Sequence, residues 1–245
     1  RVGDIMVVMA VTDPAAGNFP AGVIVERDWM TLTLGWGWGE EAHDIGVCAT
    51  DANSVAFAED GRTWASHDGG QSWFCCNSRE TSPNSNWWPS RGFEVTTNYS
   101  LKFAPWDHNR AYLNYTDMGF FRSEDGAYSW RHAIAGSPYR NTFYDCVFDP
   151  TIPGKMWAVA SNNHDMPHDK MLRQGAFLTF TGAVLRSTDY GVTWSTVVYP
   201  RGVNGGCTTS LVIDPTTPEN NRTLYVTVFG DGVYKSTDAG ATWAS

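Results

Sequence analysis

Positive charge is scarce in this sequence. Lys and Arg number 17 against 26 Asp and Glu, a formal net charge of −9. A nucleic-acid-binding face needs a basic stripe that displaces counterions from phosphates, so no nucleic-acid partner is expected. Charge of either sign is sparse as well, 18% of the chain against 42% hydrophobic residues, which argues against a disordered tail. No apolar run approaches the roughly 18 residues that a membrane-spanning helix requires. Cysteine is limited to positions 48, 75, 76, 146 and 207, without C-x-x-C spacing, so no metal site is expected from the thiols. An odd count leaves at least one thiol unpaired within the chain. The adjacent Cys75 and Cys76 read either as a vicinal disulfide or, more simply, as two buried strand thiols. Also absent are the G-x-S-x-G elbow, the P-loop, H-E-x-x-H and the Rossmann glycine fingerprint, which leaves Ser/His hydrolysis and nucleotide binding without support. Arg1-Val2-Gly3 offers neither an initiator Met nor a signal peptide, and the chain stops just after Thr242-Trp243. Both ends read as cut or processed.

Aromatic residues and glycine are plentiful. Aromatics are 14% of the chain, 12 of them Trp, and Gly numbers 24. Such a composition favours an all-β protein over a helical bundle. Within it one pattern recurs four times. Ser66-His-Asp68-Gly-Gly70-Gln-Ser72-Trp73, Ser123-Glu-Asp125-Gly-Ala127-Tyr-Ser129-Trp130, Ser187-Thr-Asp189-Tyr-Gly191-Val-Thr193-Trp194 and Ser236-Thr-Asp238-Ala-Gly240-Ala-Thr242-Trp243 all read S-x-D-x-G-x-[ST]-W, with Ala127 the single departure. The chemistry is that of a hairpin turn. The Asp caps its own backbone, the Gly supplies positive φ, the hydroxyls close a polar ring, and the Trp anchors the next strand. A second motif precedes three of these segments: Leu101–Pro105, Cys146–Pro150 and Leu211–Pro215 alternate apolar residues and then stop at proline. Val47–Asp51 is its degenerate first copy. Second strands are expected at Ser54–Ala58, Ala111–Tyr115, Met156–Ser161 and Leu224–Phe229, a third running into each turn, and a fourth starting at each Trp.

The four segments resemble the Asp-box, or bacterial neuraminidase repeat, of sialidases, xyloglucan-cleaving glycoside hydrolases, sortilin-type receptors and photosystem II assembly factors. The resemblance covers roughly residues 46 to 245. It implies an all-β fold, a β-propeller of four-stranded antiparallel blades with Asp-box turns, and a structural role for Asp68, Asp125, Asp189 and Asp238. Blades are expected at about 46–77, 99–133, 143–199 and 208–245, with 1–45 a degenerate blade or the end of a preceding one and strands at 5–11 and 22–34. So few blades suggest an incomplete ring: a small propeller, one with blades missing, or one that a partner chain completes.

Blade connectivity then sorts the loops. The Asp-boxes join strands three and four, so the loops between strands two and three and the connections between blades lie on the opposite face. That face carries Trp36, Trp38, Glu40, Glu41, His43 and Asp44, then Trp87, Trp88 and Arg91, then Tyr139 and Arg140, together with Asp60, Asp117 and Asp231. Trp faces stack on sugar rings, although propellers also use Trp to plug gaps between blades. One loop is abnormal. Val55–Ser66, Tyr112–Ser123 and Tyr225–Ser236 are equal in length, whereas Trp157–Ser187 is far longer and holds His164, Asp165, His168 and Asp169. Long loops in compact domains are commonly functional. This one reads as an acid/base or metal cluster, or as a polar loop ordered by hydrogen bonds. Substrate contacts are expected from Trp36, Trp38, Glu40, Trp87, Trp88, Tyr139, Arg140, His164, Asp165 and His168. Glycosidases need two carboxyl groups, and Asp44 with Asp117 is the pair named here. The xyloglucan-cleaving enzymes look most similar. Sialidases fit less well, since no Arg-Ile-Pro segment is present. The expectation is a secreted or cell-envelope propeller that recognises a polysaccharide, its enzymatic form being a glycoside hydrolase acting through the carboxylates of that face, with no cofactor and no bound metal. The alternative is a non-catalytic interaction scaffold.

Overall fold

The computed structural model describes residues 22–26, 44–58, 63–89, 97–164, 179–200 and 206–245. Among these the chain is strands and turns with almost no helix, and no helix is long and apolar enough to cross a membrane. It divides into two compact units, residues 1–95 and 96–245.

The first unit holds β1 (Ile24–Val25), β2 (Asp44–Cys48), β3 (Asp51–Ala58), β4 (Thr63–Ser66), β5 (Ser72–Cys75) and β6 (Trp88–Pro89). Strands β2 to β5 pair each with the next, antiparallel. Strand β1 adds to the outer edge of that sheet, parallel to β5, with Ile24 opposite Ser72 and Val25 opposite Trp73. The segment 5–11, and 27–34 of the second early segment, lie outside the described residues.

The second unit contains three successive antiparallel sheets, the first two joined edge to edge by one parallel pairing of Thr142 with Gly119. The first is β7 (Asn98–Ala104), β8 (Asp107–Tyr115), β9 (Gly119–Ser123) and β10 (Ser129–His132). The second is β11 (Thr142–Phe148), β12 (Met156–Ser161), β13 (Gly182–Ser187) and β14 (Ser195–Val198), and the third is β15 (Thr208–Asp214), β16 (Thr223–Val228) and β17 (Gly232–Ser236). Neighbours within each sheet are antiparallel, and the registers repeat. The Ser that opens each turn motif pairs with one fixed position of the strand before it: Ala111 with Ser123, Met156 with Ser187, Leu224 with Ser236, and in the first unit Val55 with Ser66. Each inner strand is also irregular near its start, at 98/100, 143/145 and 208/210. The proline-terminated motifs therefore mark only the second halves of β7, β11 and β15.

The core lies between sheets, because each sheet has two apolar faces to cover. Tyr112 and Phe120 of the first sheet pack with Cys146, Met156, Ala158 and Leu185 of the second. On the other side of the second sheet, Trp157, Val159 and Val184 pack with Leu211, Leu224 and Val226 of the third. With neighbours on both faces, every residue of β12 is buried. Aromatic donors tie one sheet to the next. The Tyr112 hydroxyl donates to the Tyr190 carbonyl at 3.3 Å, and Trp157 Nε1 donates to the Ala239 carbonyl at 3.0 Å. Inner strands are tied by Asp145 of β11. Its carboxylate pairs with Lys102 of β7 and accepts the Leu211 N–H of β15 at 3.2 Å.

All four turn motifs have the same internal bonds. In the turn after β13, Ser187 Oγ donates to Asp189 Oδ1 at 2.8 Å and accepts the Gly191 N–H at 2.9 Å. Asp189 in turn accepts the Thr193 N–H at 2.9 Å and the Thr193 hydroxyl at 2.6 Å. The Asp125 carboxylate takes the same two bonds from Ser129 at 2.8 and 2.5 Å, and the Asp238 carboxylate from Thr242 at 2.8 and 2.5 Å. At Asp68, the bonds from the Ser72 hydroxyl and N–H hold the carboxyl down at about 2. The fourth and fifth motif residues both have positive φ, including the non-glycine Ala127 at 71°, Tyr190 at 63° and Ala239 at 57°. Each turn is then pinned to the strand before it: the N–H groups of Gly69, Gly126, Tyr190 and Ala239 donate to the carbonyls of Asn53, Asn109, Gly154 and Arg222 at 3.0, 2.8, 3.1 and 2.9 Å.

The cysteines are all free. Cys75 is buried and Cys76 exposed, which corrects the reading of two buried thiols. Successive residues of an extended chain point to opposite sides, so a single face cannot bury both.

Asp149, at the end of β11, is fully buried and binds Arg222, itself 2% exposed, through Oδ1 and Oδ2 at 2.9 and 3.2 Å, with Lys155 Nζ at 3.2 Å from Oδ2. Burial alone would raise this carboxyl. The Arg222, Thr151 and Lys155 interactions outweigh burial and hold it at about 2. Because the folded value lies below the unfolded one, near 4, its contribution to stability is complete above pH about 4. That contribution is lost as pH falls toward 2. Removing one partner of a buried pair costs about 3 kcal/mol or more. Arg222→Ala should therefore lower unfolding free energy by about that amount in urea titrations at pH 7, with a smaller difference from wild type at pH 2.5.

Candidate functional site

The turn between β8 and β9 presents Asp117. Its backbone has φ of 62°, the left-handed region that Asp tolerates better than most side chains. In the third sheet the matching position is Gly230, φ 76°. Left-handed residues other than glycine also occur in the turn motifs, at Ala127, Tyr190 and Ala239, so the conformation by itself marks a fixed turn.

Several elements pin this turn. The Met118 side chain is buried, and its N–H donates to the Thr116 carbonyl at 2.7 Å. The Gly119 N–H donates to the Asn141 carbonyl at 3.0 Å, which joins the turn to the connection entering β11. Gly119 has φ of 73°, and a Cβ there would lie 2.7 Å from the Arg140 carbonyl oxygen and 2.8 Å from Ile134 Cγ2. From β10, His132 Nε2 sits 2.9 Å from the Met118 carbonyl.

The Asp117 side chain is 18% exposed and faces groups of the next sheet. Asn141 Nδ2 donates to its Oδ1 at 3.3 Å, and His164 Nδ1 lies 3.4 Å from the same oxygen. Both contacts are longer than those that close the turn motifs. His164 is half exposed and stands where the long β12–β13 connection begins. Its approach is braced by Asn163, whose N–H donates to Ser161 Oγ at 3.1 Å and whose carbonyl accepts the Tyr144 hydroxyl at 2.8 Å. Arg140 is exposed next to Asn141. Tyr139 is half-buried, and burial raises its hydroxyl pKa while a bond to Thr181 opposes the shift. Asp231 differs from Asp117, because its Oδ2 accepts the Tyr234 hydroxyl of its own sheet at 2.6 Å.

The structure thus brings Asp117, Arg140 and His164 to one place, with Tyr139 on the same connection. Asn141 and His132 were not anticipated from the sequence. Asn141 carries no local motif, and His132 lies two residues beyond a motif Trp, in a stretch that reads as ordinary strand. Asp44 is exposed at the start of β2 and belongs to the other compact unit, with its Oδ1 accepting the Ile45 N–H at 2.9 Å. Trp87 is half-buried. It follows a loop organised by Glu80, whose carboxylate accepts the N–H groups of Asn84 and Asn86 at 2.9 and 2.8 Å. Trp88 is only 1% exposed, which corrects its expected role as a stacking surface. Adjacent strand residues alternate sides, so a Trp-Trp pair does not offer two faces to one groove. Trp36, Trp38, Glu40, Glu41, His43, Asp60, Arg91, Asp165, His168, Asp169 and Arg173 lie outside the described residues. Among the described residues no cluster of three His, Cys, Asp or Glu could hold a metal ion.

No family model matches the chain. A xyloglucanase from Acetivibrio thermocellus, Xgh74A, is 34% identical over 102 residues, which is 39% of this chain and 11% of that protein. A xyloglucanase from Paenibacillus sp. is 44% identical over 69 residues, 26% of this chain and 6% of its own length. The chain therefore spans about a tenth, or less, of these curated relatives. Among solved structures, the GH74 enzyme of Niastella koreensis aligns over 87% of this chain and 30% of its own, with 16% identity and a TM-score of 0.45. YCF48 bound to D1 peptide aligns over 86% of this chain and 82% of its own, with 14% identity and a TM-score of 0.27.

Gly119→Ala would force the β8–β9 turn away from Arg140 and Ile134 while straining its own backbone. The expected outcome is a lower melting temperature and shifted amide resonances at 116–119 and 140–141 in NMR spectra. A variant with wild-type stability and spectra would show that the close approach at Gly119 is dispensable.

Proposed function

We propose that the chain is part of a carbohydrate-acting β-propeller with four-stranded blades and Asp-box turns, and that it contributes to binding and hydrolysing a xyloglucan-type polysaccharide outside the cell. The observation that carries this reading is Asp117: a partly exposed carboxylate in a left-handed turn, contacted from the next sheet, at the opposite end of β9 from the turn motif that follows it. The partial identity to two xyloglucanases supports the choice of substrate class.

In glycoside hydrolysis one carboxyl group protonates the leaving oxygen while a second attacks the sugar or activates water. Asp117 is proposed as one of these groups and Asp44 as its partner. Arg140, Asn141 and Tyr139 supply donors for sugar hydroxyls. His164, at the start of the long connection, stands beside Asp117. Trp36, Trp38, Glu40, Trp87, Asp165 and His168 remain the proposed substrate contacts.

A second reading, an interaction scaffold, rests on one specific feature. Val212, Tyr225 and Val233 share a face of the third sheet and are 57%, 37% and 56% exposed, whereas the matching face of the second sheet is covered. That face suits a further blade or a partner chain.

The test is release of reducing ends from xyloglucan. General acid–base groups contribute about 10²–10⁴-fold. Asp117→Asn, which keeps a side chain at ease in the left-handed region, should lower turnover by that order with the melting temperature unchanged. His164→Ala should reduce turnover less. Wild-type turnover in Asp117→Asn would remove Asp117 from the chemistry. No turnover by the full chain, combined with self-association that Val233→Asp abolishes, would favour the scaffold.

A further inference from the structure

We propose that His132 is a positioning residue for Asp117. The inference rests on the reading that Asp117 acts on the ligand. It concerns a residue on a different strand from Asp117, in a part of the chain where no site was expected.

The turn at Asp117 has a left-handed residue at its tip, so its conformation must be imposed from outside. One brace is the β11 side, through Gly119 N–H to the Asn141 carbonyl at 3.0 Å. The other comes from within the first sheet. His132 closes β10, next to β9, opposite Phe121 in the register, and its ring lies 5.0 Å from the Phe121 ring. From there Nε2 reaches the Met118 carbonyl at 2.9 Å. A carbonyl only accepts, so the ring must carry its proton on Nε2. Burial, aided by the charge of Arg140, holds the imidazole down at about 4 against the opposing pull of the Met118 bond. The ring is therefore neutral near pH 7, with a single N–H, and Met118 takes it.

The Met118 carbonyl belongs to the residue after Asp117, so holding it limits how far the turn around Asp117 can move. The contrast with the third sheet is informative. There the matching turn carries Gly230 at the left-handed position, and its neighbour Asp231 is held by Tyr234, a side chain of the next strand. In the first sheet the strap runs from the fourth strand to backbone, and the Asp117 carboxylate takes contacts from the second sheet. A strap that grips a main-chain atom orients a carboxylate without occupying its oxygens.

The experiment compares the full chain with His132→Leu, His132→Gln and Asp117→Asn. Leu removes the donor, while Gln can return an N–H to the carbonyl. Two readouts are taken: amide resonances of 116–119, and steady-state hydrolysis and binding of a xyloglucan oligosaccharide. His132→Leu should move the resonances of Asp117 and Met118 and lower kcat about tenfold to a hundredfold with KM within about twofold. His132→Gln should restore most of both. A purely structural role would lower the melting temperature while kcat per folded molecule stays at the wild-type value, and that result overturns the inference. Unmoved resonances at 117 and 118 in His132→Leu overturn it as well. If Asp117→Asn cleaves and binds as wild type, or the full chain does neither, the reading of Asp117 fails and the positioning role fails with it. Loss in Asp117→Asn with an unaffected His132→Leu sinks only the role of His132.

Discussion

Each of the four turn motifs is closed by a carboxylate that accepts bonds from the residues on both sides of it. Four such turns have the same atoms bonded to one another within about 0.1 Å. The rest of the fold depends on this closure. It fixes two consecutive left-handed residues, whose N–H and C=O then serve as attachment points. The N–H pins the turn to its own second strand, and the C=O receives an aromatic donor from the preceding sheet at Tyr190 and Ala239. A short local motif thereby sets the distance between one sheet and the next. An apolar face alone would leave that spacing free to slide.

The turns and the strand order could be read from the sequence because their causes are local. Carboxylate, hydroxyl, glycine and tryptophan at fixed spacing leave few alternatives, and β12 was placed at Met156–Ser161 by its apolar run alone. What escaped notice depended on partners far along the chain. Inner strands begin before their proline-terminated motifs because the early residues, such as Asn98 and Thr142, pair across the sheet without an apolar signature. The doublets Cys75-Cys76 and Trp87-Trp88 invited a shared interpretation that strand alternation forbids.

The site follows the same division. Asp117, Arg140 and His164 were legible as polar residues in connections on the face away from the box turns. The convergence of Asn141 and His164 on one oxygen of Asp117 was not, since it requires the spacing between two sheets. Asn141 and His132 act through a single donor each, and neither composition nor spacing distinguishes such a donor from an ordinary strand residue. That Asp117 occupies a position given to glycine elsewhere becomes visible only when the registers of the sheets are superimposed.

Asp145 has a consequence for how the second unit comes apart. Repeat architectures are usually described by nearest-neighbour terms, each sheet opening at its own cost. Here one carboxylate holds a lysine of the sheet before it and a backbone N–H of the sheet after it. Swinging either neighbour away exposes a charge that the other still needs. The inner strands are therefore expected to exchange their amide hydrogens in a single cooperative opening.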